Sequence, residues 1–207
     1  MLTNVYIDGF NLFYGCLKGS PYKWLDIEAL CRRLLPRDHI NRIRYFTALV
    51  TARPGDLQQP VRQETYLRAL ETLPTVTVHL GEFYVNRVRM PLANPSRGAT
   101  TVEVVKTEEK GSDVALATYL MFDACQGDSE ASVVITNDSD LREPLRLVKA
   151  ELGITTGIIN PHPANRRSRA MTSTFFKQLR PSILGQCQLP VQITDPQGLV
   201  IHRPTDW

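Results

Sequence analysis

The sequence contains few of the residues that bind soft metals or build disulfide frameworks. Its 207 residues include four cysteines and four histidines, and none of them form a CxxC, HxxxH or Cys/His pair. Three of the cysteines fall in predicted helices, which is typical of small buried side chains. We therefore expect neither a disulfide nor a zinc site, so a metal site would have to use hard oxygen ligands.

Long hydrophobic runs are also missing. No stretch of about 18 apolar residues exists, and the N-terminus enters a predicted strand without the basic segment, apolar core and cleavage site of a signal peptide. We therefore expect a cytoplasmic protein with no membrane partner. A hydrophobic content of 43% over 207 residues excludes a disordered chain and suffices for one buried core, with an appendage at most.

Glycine-rich nucleotide cradles are absent, since neither GxxxxGK[ST] nor GxGxxG occurs.

Acidic residues are absent from residues 152–194. Five basic residues lie inside that stretch: Arg166, Arg167, Arg169, Lys177 and Arg180. A second basic group precedes a predicted helix: Arg87, Arg89, Arg97, Lys106 and Lys110. The net charge is only +3, but this distribution favours a polyanionic partner, unless the arginines merely solvate surface helices.

Hydrophobic periodicity predicts an α/β fold in which strands and helices alternate. Apolar runs predict strands at 2–7, 43–50, 75–80, 131–136 and 154–159, with helices at 10–17, 26–35, 60–73, 112–126 and 141–152. Ser112 is the predicted cap of the fourth helix, a hairpin at about 82–106 is predicted as an insertion, and 174–179 as a short helix. We expect a Rossmann-like three-layer sandwich around a mainly parallel five-stranded sheet, followed by turns and extended segments from residue 181.

Four aspartates fall where such a sheet would bring them together. Asp8 follows the first strand, Asp138 and Asp140 follow the fourth, and Asp113 begins the helix between. Ligands of parallel sheets bind beyond the carboxyl ends of the strands, where the strand order reverses. Each acid has an alternative role: Asp8 in a turn, Asp113 favouring a helix N-terminus, and Asp140 in a capping box with Glu143. Capping needs only one acid per helix, however. It does not explain why Asp138 and Asp140 would face Asp8 and Asp113.

Three segments resemble the motifs of a known family. Tyr6–Leu12, Lys110–Ala117 and Val133–Leu141 are similar to the three motifs of NYN domains, the LabA-like branch of the PIN-like nuclease superfamily. The resemblance covers about residues 2–180 in the family's order, so we expect a nuclease domain at 1–180 and an unassigned extension at 181–207. It implies a metal-dependent ribonuclease in which Asp8, Asp113, Asp138 and Asp140 ligate or position the metal, with Asn11 as a polar neighbour. Asn137 stands where the family often has glycine.

The chemistry of the acids agrees with that implication. Mg²⁺ prefers octahedral oxygen coordination through one or two carboxylates, waters and substrate phosphate. Four acids could support one Mg²⁺ or Mn²⁺ directly, and a second once a phosphodiester supplies oxygens. Asn11 would either orient a water or phosphate, or cap the helix that begins after Asp8.

The expected function is a Mg²⁺- or Mn²⁺-dependent endoribonuclease acting on RNA, in particular single-stranded RNA. The candidate nucleic-acid-binding residues are Arg87, Arg89, Lys106, Lys110, Arg166, Arg167 and Arg169. Phe83 and Tyr84 could stack a base beside Arg87 and Arg89. Alternatively, at least one of these two aromatic side chains is buried in the core. Exonucleolytic action, DNA cleavage and a homo-oligomer stay open.

Two other functions are compatible with the residues. One is an RNA-binding or complex-recruiting module that cleaves weakly or not at all. The other is an aspartate-nucleophile phosphatase, which also uses acids and Mg²⁺ at a sheet edge. A phosphatase of that kind expects a second acid two residues after the nucleophile, and Phe10 holds that place after Asp8.

Overall fold

The computed structural model describes residues 1–52, 55–96, 99–205 and 207. The strands are β1 (Leu2–Asp8), β2 (His39–Ala48), β3 (Val76–Ser96), β4 (Ala99–Lys110), β5 (Ala131–Ile135), β6 (Thr155–Asn160), β7 (Phe175–Gln178), β8 (Gln192–Thr194) and β9 (Val200–His202). The helices are α1 (Gly9–Leu12), continued by a π-helical turn (Phe13–Leu17), α2 (Ile27–Leu34), α3 (Gln59–Glu71), α4 (Ser112–Gln126), α5 (Arg142–Ala150) and α6 (Pro181–Leu184). Two 3₁₀ turns lie at Ser139–Leu141 and Ala164–Arg166.

Seven strands form the main sheet, in the order β4-β3-β2-β1-β5-β6-β7. All neighbouring pairs are parallel except β3 and β4, which are antiparallel. Helices cover both faces, so the predicted three-layer sandwich is confirmed. The predicted number of five strands is too low, because β4 and β7 also join the sheet.

The two faces of the sheet bury separate cores. Val5 and Ile7 of β1 face the core that contains α2 and α3, whereas Tyr6 faces the core that contains α4 and α5. Every residue of β5 is buried. A parallel strand covered on both faces is rich in apolar residues, and this is why the central strands could be predicted from the sequence.

The predicted short helix at 174–179 is wrong, because this segment forms strand β7. Phe175–Gln178 pairs in parallel with Gly157–Asn160 of β6 at the edge of the sheet. Gly157 makes the pairing possible, since a Cβ atom there would lie 2.2 Å from Cζ of Phe175. Aromatic residues favour a half-buried strand when a neighbouring strand offers its edge, and that partner lies too far along the chain to be read locally.

The predicted hairpin is present, and its first strand continues a strand of the main sheet. The first part of β3 pairs in parallel with β2, and from Glu82 onward β3 pairs antiparallel with β4, forming a two-stranded ribbon. The ribbon ends at Lys110, directly before α4. It therefore joins the edge of the sheet to the helix that carries Asp113.

The segment 181–207, predicted as turns and extended chain, packs against the core beside α2. Leu184, Leu189 and Ile201 are buried there. The indole Nε1 of Trp24 donates to the carbonyl of Pro190 at 2.8 Å. No helix among the described residues is long and apolar enough to cross a bilayer.

Candidate metal and nucleic-acid site

The strand order reverses between β1 and β5, which are adjacent and parallel. Their register pairs Thr3 with Ala131 and Ile7 with Ile135. From β1 the chain proceeds outward to β2 and β3, and it then returns to β5, β6 and β7 on the other side. The carboxyl ends of β1 and β5 therefore form a crevice, and Asp8 and Asp138 follow from these two ends.

Asp8 is held in place by hydrogen bonds to both of its carboxylate oxygens. Oδ1 accepts the backbone N–H of Asn11 at 2.8 Å, so Asp8 caps α1, and Oδ2 accepts the hydroxyl of Thr136 at 3.0 Å. The residue is only 7% exposed. Burial raises the pKa of Asp8 to about 6, and the charges of Asp113 and Asp138 add to this rise against the opposing hydrogen bonds.

Thr136 connects the two strand ends, since its hydroxyl oxygen also accepts the backbone N–H of Asp138 at 3.1 Å. Asp138 in turn caps the 3₁₀ turn at Ser139–Leu141, where its Oδ1 accepts the N–H of Asp140 at 3.0 Å. The capping box expected for Asp140 and Glu143 is wrong, because Asp138 occupies the capping position. Glu143 binds Arg146 instead, at 2.7 Å, and Asp140 is exposed.

Asp113 lies in the first turn of α4 beside further acids. Asp113 is exposed, but desolvation by the surrounding protein raises the pKa of its carboxyl group to about 6, with added repulsion from Asp138, Glu109 and Asp140. Ser112 does not cap the helix as predicted. The helix begins after Gly111 at φ 95°, and the carboxylate of Glu109 accepts the N–H of Ser112 at 2.9 Å. Glu109 is thus an acid of this edge that the sequence analysis missed.

Charge repulsion links all four predicted acids: Asp8 with Asp113 and Asp138, and Asp113 with Asp138 and Asp140. Yet within the described ranges, no three His, Cys, Asp or Glu side chains form a group that could hold a metal ion. The acids lie close enough to shift one another's pKa, but they do not form a closed set of metal ligands.

Asn11 does not cap a helix, because Asp8 has that role. The side-chain oxygen of Asn11 accepts the backbone N–H of Asn137 at 2.9 Å, and so ties the start of α1 to the turn after β5. This places Asn11 between the two strand ends that carry Asp8 and Asp138.

Asn137 has a role that the sequence analysis missed. Its Nδ2 donates to the carbonyl of Arg166 at 2.9 Å, and its Oδ1 accepts the N–H of Ser168 at 2.8 Å. The residue before Asp138 therefore fixes the loop that contains Arg166, Arg167 and Arg169. The only signal in the sequence was the presence of asparagine where the family often has glycine.

This loop presents the basic trio to solvent at the acidic edge. Arg166, Arg167 and Arg169 are all exposed. The guanidinium of Arg167 lies 3.5 Å from the ring centroid of Phe176, which holds its direction.

The ribbon carries the other predicted basic residues. Arg87 and Arg89 lie opposite Val105 and Glu103, Lys106 forms an ion pair with Glu108, and Lys110 lies at the base of the ribbon opposite Glu82. Lys110 is therefore the ribbon cation nearest in sequence to Asp113. Arg97 lies outside the described residues.

The two aromatic residues at the base of the ribbon have different environments. Phe83 stacks on Phe10, with 6.2 Å between ring centroids. Tyr84 is 41% exposed, and the ammonium of Lys110 lies 5.5 Å from its ring centroid. Of the two, Tyr84 is the ring that a base can reach.

The chain is similar to one named protein, to one solved structure and to one domain family. The chain is 30% identical to the 6-hydroxy-3-succinoylpyridine 3-monooxygenase HspA of Pseudomonas putida (strain DSM 28022 / S16), over 99% of this chain and 75% of that protein. A protein of unknown function, VPA0982 from Vibrio parahaemolyticus RIMD 2210633, has a similar structure with a TM-score of 0.57 and 12% identity, covering 86% of this chain and 92% of that one. The NYN domain family matches residues 2–179, across all three motifs. The chain therefore belongs to the NYN domain family, within the PIN-like nuclease superfamily.

Proposed function

We propose that this protein is a Mg²⁺- or Mn²⁺-dependent ribonuclease that hydrolyses phosphodiester bonds in single-stranded RNA. The observation that carries the proposal is the pair of acids whose pKa is raised to about 6, Asp8 and Asp113, beside Asp138 at the switch point of a parallel sheet. Keeping mutually repelling carboxylates at one edge costs stability, and a cation removes that cost.

The donor set fits a hard divalent ion. All the candidate ligands are carboxylate oxygens, and Mg²⁺ is commonly held by only one or two carboxylates together with waters and substrate phosphate. The described residues contain no group of three candidate ligands, so an ion here would need water and substrate to complete its coordination. Asp8 and Asp138 would hold the ion, and Asp113 and Asp140 would ligate or position it with them. A bound Mg²⁺ or Mn²⁺ would acidify the attacking water and neutralise charge on the phosphate.

The residues around the acids orient the reacting groups. Thr136 fixes Asp8 relative to Asp138, and Asn11 fixes the turn that carries Asp138. Lys110 and the loop of Arg166, Arg167 and Arg169 supply positive charge on either side of the acids, which suits the RNA backbone. An RNA strand would cross the acidic edge between these cations.

A second candidate function follows from the relative HspA. Its name assigns it monooxygenation of a hydroxylated pyridine, and the identity of 30% extends over 99% of this chain. Conversion of a small pyridine is therefore the alternative activity. A binding module without cleavage is the third possibility.

Cleavage of labelled single-stranded RNA tests the main proposal. We expect cleavage with Mg²⁺ or Mn²⁺ and none with EDTA, because the water must be acidified and the phosphate neutralised. Asp8→Asn and Asp138→Asn should lower the rate at least about a hundredfold, since an isosteric amide binds the cation poorly. Circular dichroism verifies that both variants are folded.

Asp128→Asn is the control for loss of a carboxylate away from the site, because Asp128 precedes β5 at the opposite ends of the strands, where it pairs with Arg42 at 2.6 Å. It should cleave at the wild-type rate. Activity that persists in EDTA, or an Asp8→Asn variant as active as wild type, would refute the proposal. Oxygen consumption with a hydroxypyridine and an electron donor, in a protein that cleaves no RNA, would favour the second function.

A further inference from the structure

A pocket of about 110 Å³ lies directly beside the acidic edge. Its walls come from α1 with its π-helical turn on one side and from α3 on the other. Its aromatic lining is formed by Phe10, Phe13, Tyr14, Tyr45, Tyr66 and Trp207. Tyr45 and Tyr66 belong to the core that contains α2 and α3, and Phe13 and Trp207 pack against it, so these four rings also have a structural role. An unfilled pocket of this kind forfeits the dispersion contacts that its walls would make with a ligand.

The pocket shares a wall with the start of α1. Gly9 lines it and follows Asp8 directly, and the ring of Tyr45 packs so closely that a Cβ on Gly9 would lie 2.8 Å from Cζ of Tyr45. Asp8 also acts on the phenol, since burial and then the charge of Asp8 raise the pKa of Tyr45. A ligand on the ring of Tyr45 would therefore lie next to the residue proposed to hold the cation.

The side chains of two polar residues of the lining already have hydrogen-bond partners within the protein. Arg62 pairs with Asp56 at 2.6 Å, and Gln63 accepts the N–H of Val50 and donates to the carbonyl of Ala48, at 2.8 and 2.9 Å. These bonds fix the walls. They leave neither side chain without a partner.

Two other donors of the lining have no acceptor among the residues that the structure describes. Nζ of Lys23 lies 5.9 Å from the ring centroid of Trp207 and forms no ion pair with any described carboxylate. Nε1 of Trp207 is buried and has no hydrogen-bond partner within the described part of the chain. Nε1 of Trp207 is closed off from solvent, so Lys23 is the donor that favours a ligand with a carbonyl or anionic oxygen at that end.

The size of the pocket restricts the ligand further. Pockets for drug-sized molecules have about 300 Å³ or more, whereas a dry protein cavity of about 150 Å³ binds a single benzene ring. A pocket of about 110 Å³ that opens on one side therefore accommodates one six-membered ring, with its substituents reaching outward.

We propose that this pocket binds a single planar heteroaromatic ring that bears an oxygen acceptor, held among the aromatic side chains of the lining and beside Asp8. A pyrimidine base of an RNA strand has this chemistry, and so does a free hydroxypyridine. In the first case the pocket selects the nucleotide next to the scissile bond. In the second it is the substrate site of the alternative activity, so the proposal does not depend on which activity the protein has.

Calorimetric titration of the purified chain in EDTA tests the pocket without any turnover. The probes are uridine 5′-monophosphate and 2-hydroxypyridine, with ribose 5-phosphate as the ligand that lacks a ring. Both ring compounds should bind saturably at one site, and ribose 5-phosphate should not. The tighter of the two probes identifies the source of the ring, nucleotide or free heterocycle.

Two aromatic variants distinguish the pocket from general loss of structure. Tyr14 is 48% exposed and Phe122 is 54% exposed on α4, outside the pocket, so neither substitution opens the core. Tyr14→Ala should weaken binding about tenfold, the scale of one lost stacking contact, and Phe122→Ala should leave it unchanged. Ligand quenching of tryptophan fluorescence should disappear in Trp207→Phe.

Failure of both ring compounds to bind more tightly than ribose 5-phosphate would overturn the proposal. So would equal affinities of wild type and Tyr14→Ala. Because the titration requires neither metal nor cleavage, either result is independent of the ribonuclease assay.

Discussion

Asp8 has two roles that impose opposite demands on one side chain. As a cap of α1 it accepts the N–H of Asn11, a role that asparagine fills nearly as well. As a buried carboxylate beside Asp113 and Asp138 it carries a cost that capping alone does not justify. An acid retained in such a position is explained by the cation that it would bind.

The pH dependence of stability tests this cost at Asp8. The folded pKa is about 6, above the unfolded value of 3.8, so the folded state binds more protons than the unfolded chain between these values. The free energy of unfolding should therefore fall as pH rises through this window. The full penalty, about 3 kcal/mol for a shift of this size, is present above pH 6 and absent below pH 3.8.

Urea unfolding of wild type and Asp8→Asn in EDTA, from pH 4 to pH 7, measures this contribution. The variant keeps the cap but has no charge to titrate, so its stability relative to wild type should rise across the window. If the free energies of unfolding of the two proteins changed in parallel with pH, burial of the Asp8 carboxylate would not lower stability.

At this scale the sequence identified the acids and missed the residues that position them. Asp8, Asp113, Asp138 and Asp140 could be predicted because their places at strand and helix ends depend on local pattern. Thr136 and Asn137 could not, because their partners are set by tertiary structure. The hydrogen bonds of Asn137 join residues 29 and 31 positions apart.

Among the elements, the loop of Arg166, Arg167 and Arg169 depends on Asn137 for its position. Asn137→Ala removes both hydrogen bonds that hold this loop to the end of β5. RNA affinity should fall, because cations on an unfixed loop must be ordered on binding. Neutralising the three arginines should in addition flatten the dependence of log K on log salt, by about 0.7 per lost phosphate contact.

Fluorescence anisotropy with a short single-stranded RNA measures both effects. Ser168→Ala is the matched control, since Ser168 binds Asn137 through its backbone N–H and keeps that bond. An unchanged salt slope after neutralisation of the trio would move the RNA surface to the ribbon that carries Arg87 and Arg89.

The sequence predicted the central elements more reliably than the edges of the sheet. Strands β1, β5 and β6 are buried on both faces, so their apolar runs are decisive. The segment of β7 has no such run, and its four residues become a strand only because β6 offers an edge with a glycine at position 157. The hairpin was predicted from the sequence. That its first strand is the continuation of a sheet strand could not be predicted, because it depends on the pairing of β3 with β2.

The whole molecule gathers mutually repelling acids from three distant segments at one edge of its sheet. Without metal, this arrangement should be strained at neutral pH. Binding of a cation to the folded state, but hardly to the unfolded chain, stabilises the fold by mass action, by about 2.7 kcal/mol when the ligand is at 100 times its Kd.

Thermal unfolding with and without Mg²⁺ tests this coupling. The melting temperature of wild type should rise saturably with Mg²⁺. Asp113→Asn and Asp140→Asn should melt no lower than wild type in EDTA and should lose much of the Mg²⁺-dependent increment. Because Asp138, not Asp140, caps the 3₁₀ turn, Asp140→Asn removes charge without removing a cap.

Asp128→Asn should retain the full Mg²⁺-dependent increment. If wild type shows no such increment and both acid variants melt clearly below it in EDTA, the acids are structural and the cation site does not exist.

The central claim, that these acids hold a divalent cation for cleavage of RNA, is tested most directly by crystallography with Mn²⁺. Anomalous scattering locates Mn²⁺ without any assumption about activity. The account predicts a Mn²⁺ peak in the crevice at the ends of β1 and β5, within coordination distance of Asp8 and Asp138, and no peak there in Asp8→Asn. A crevice without Mn²⁺ at a concentration that supports cleavage, or Mn²⁺ bound only elsewhere on the molecule, would contradict it.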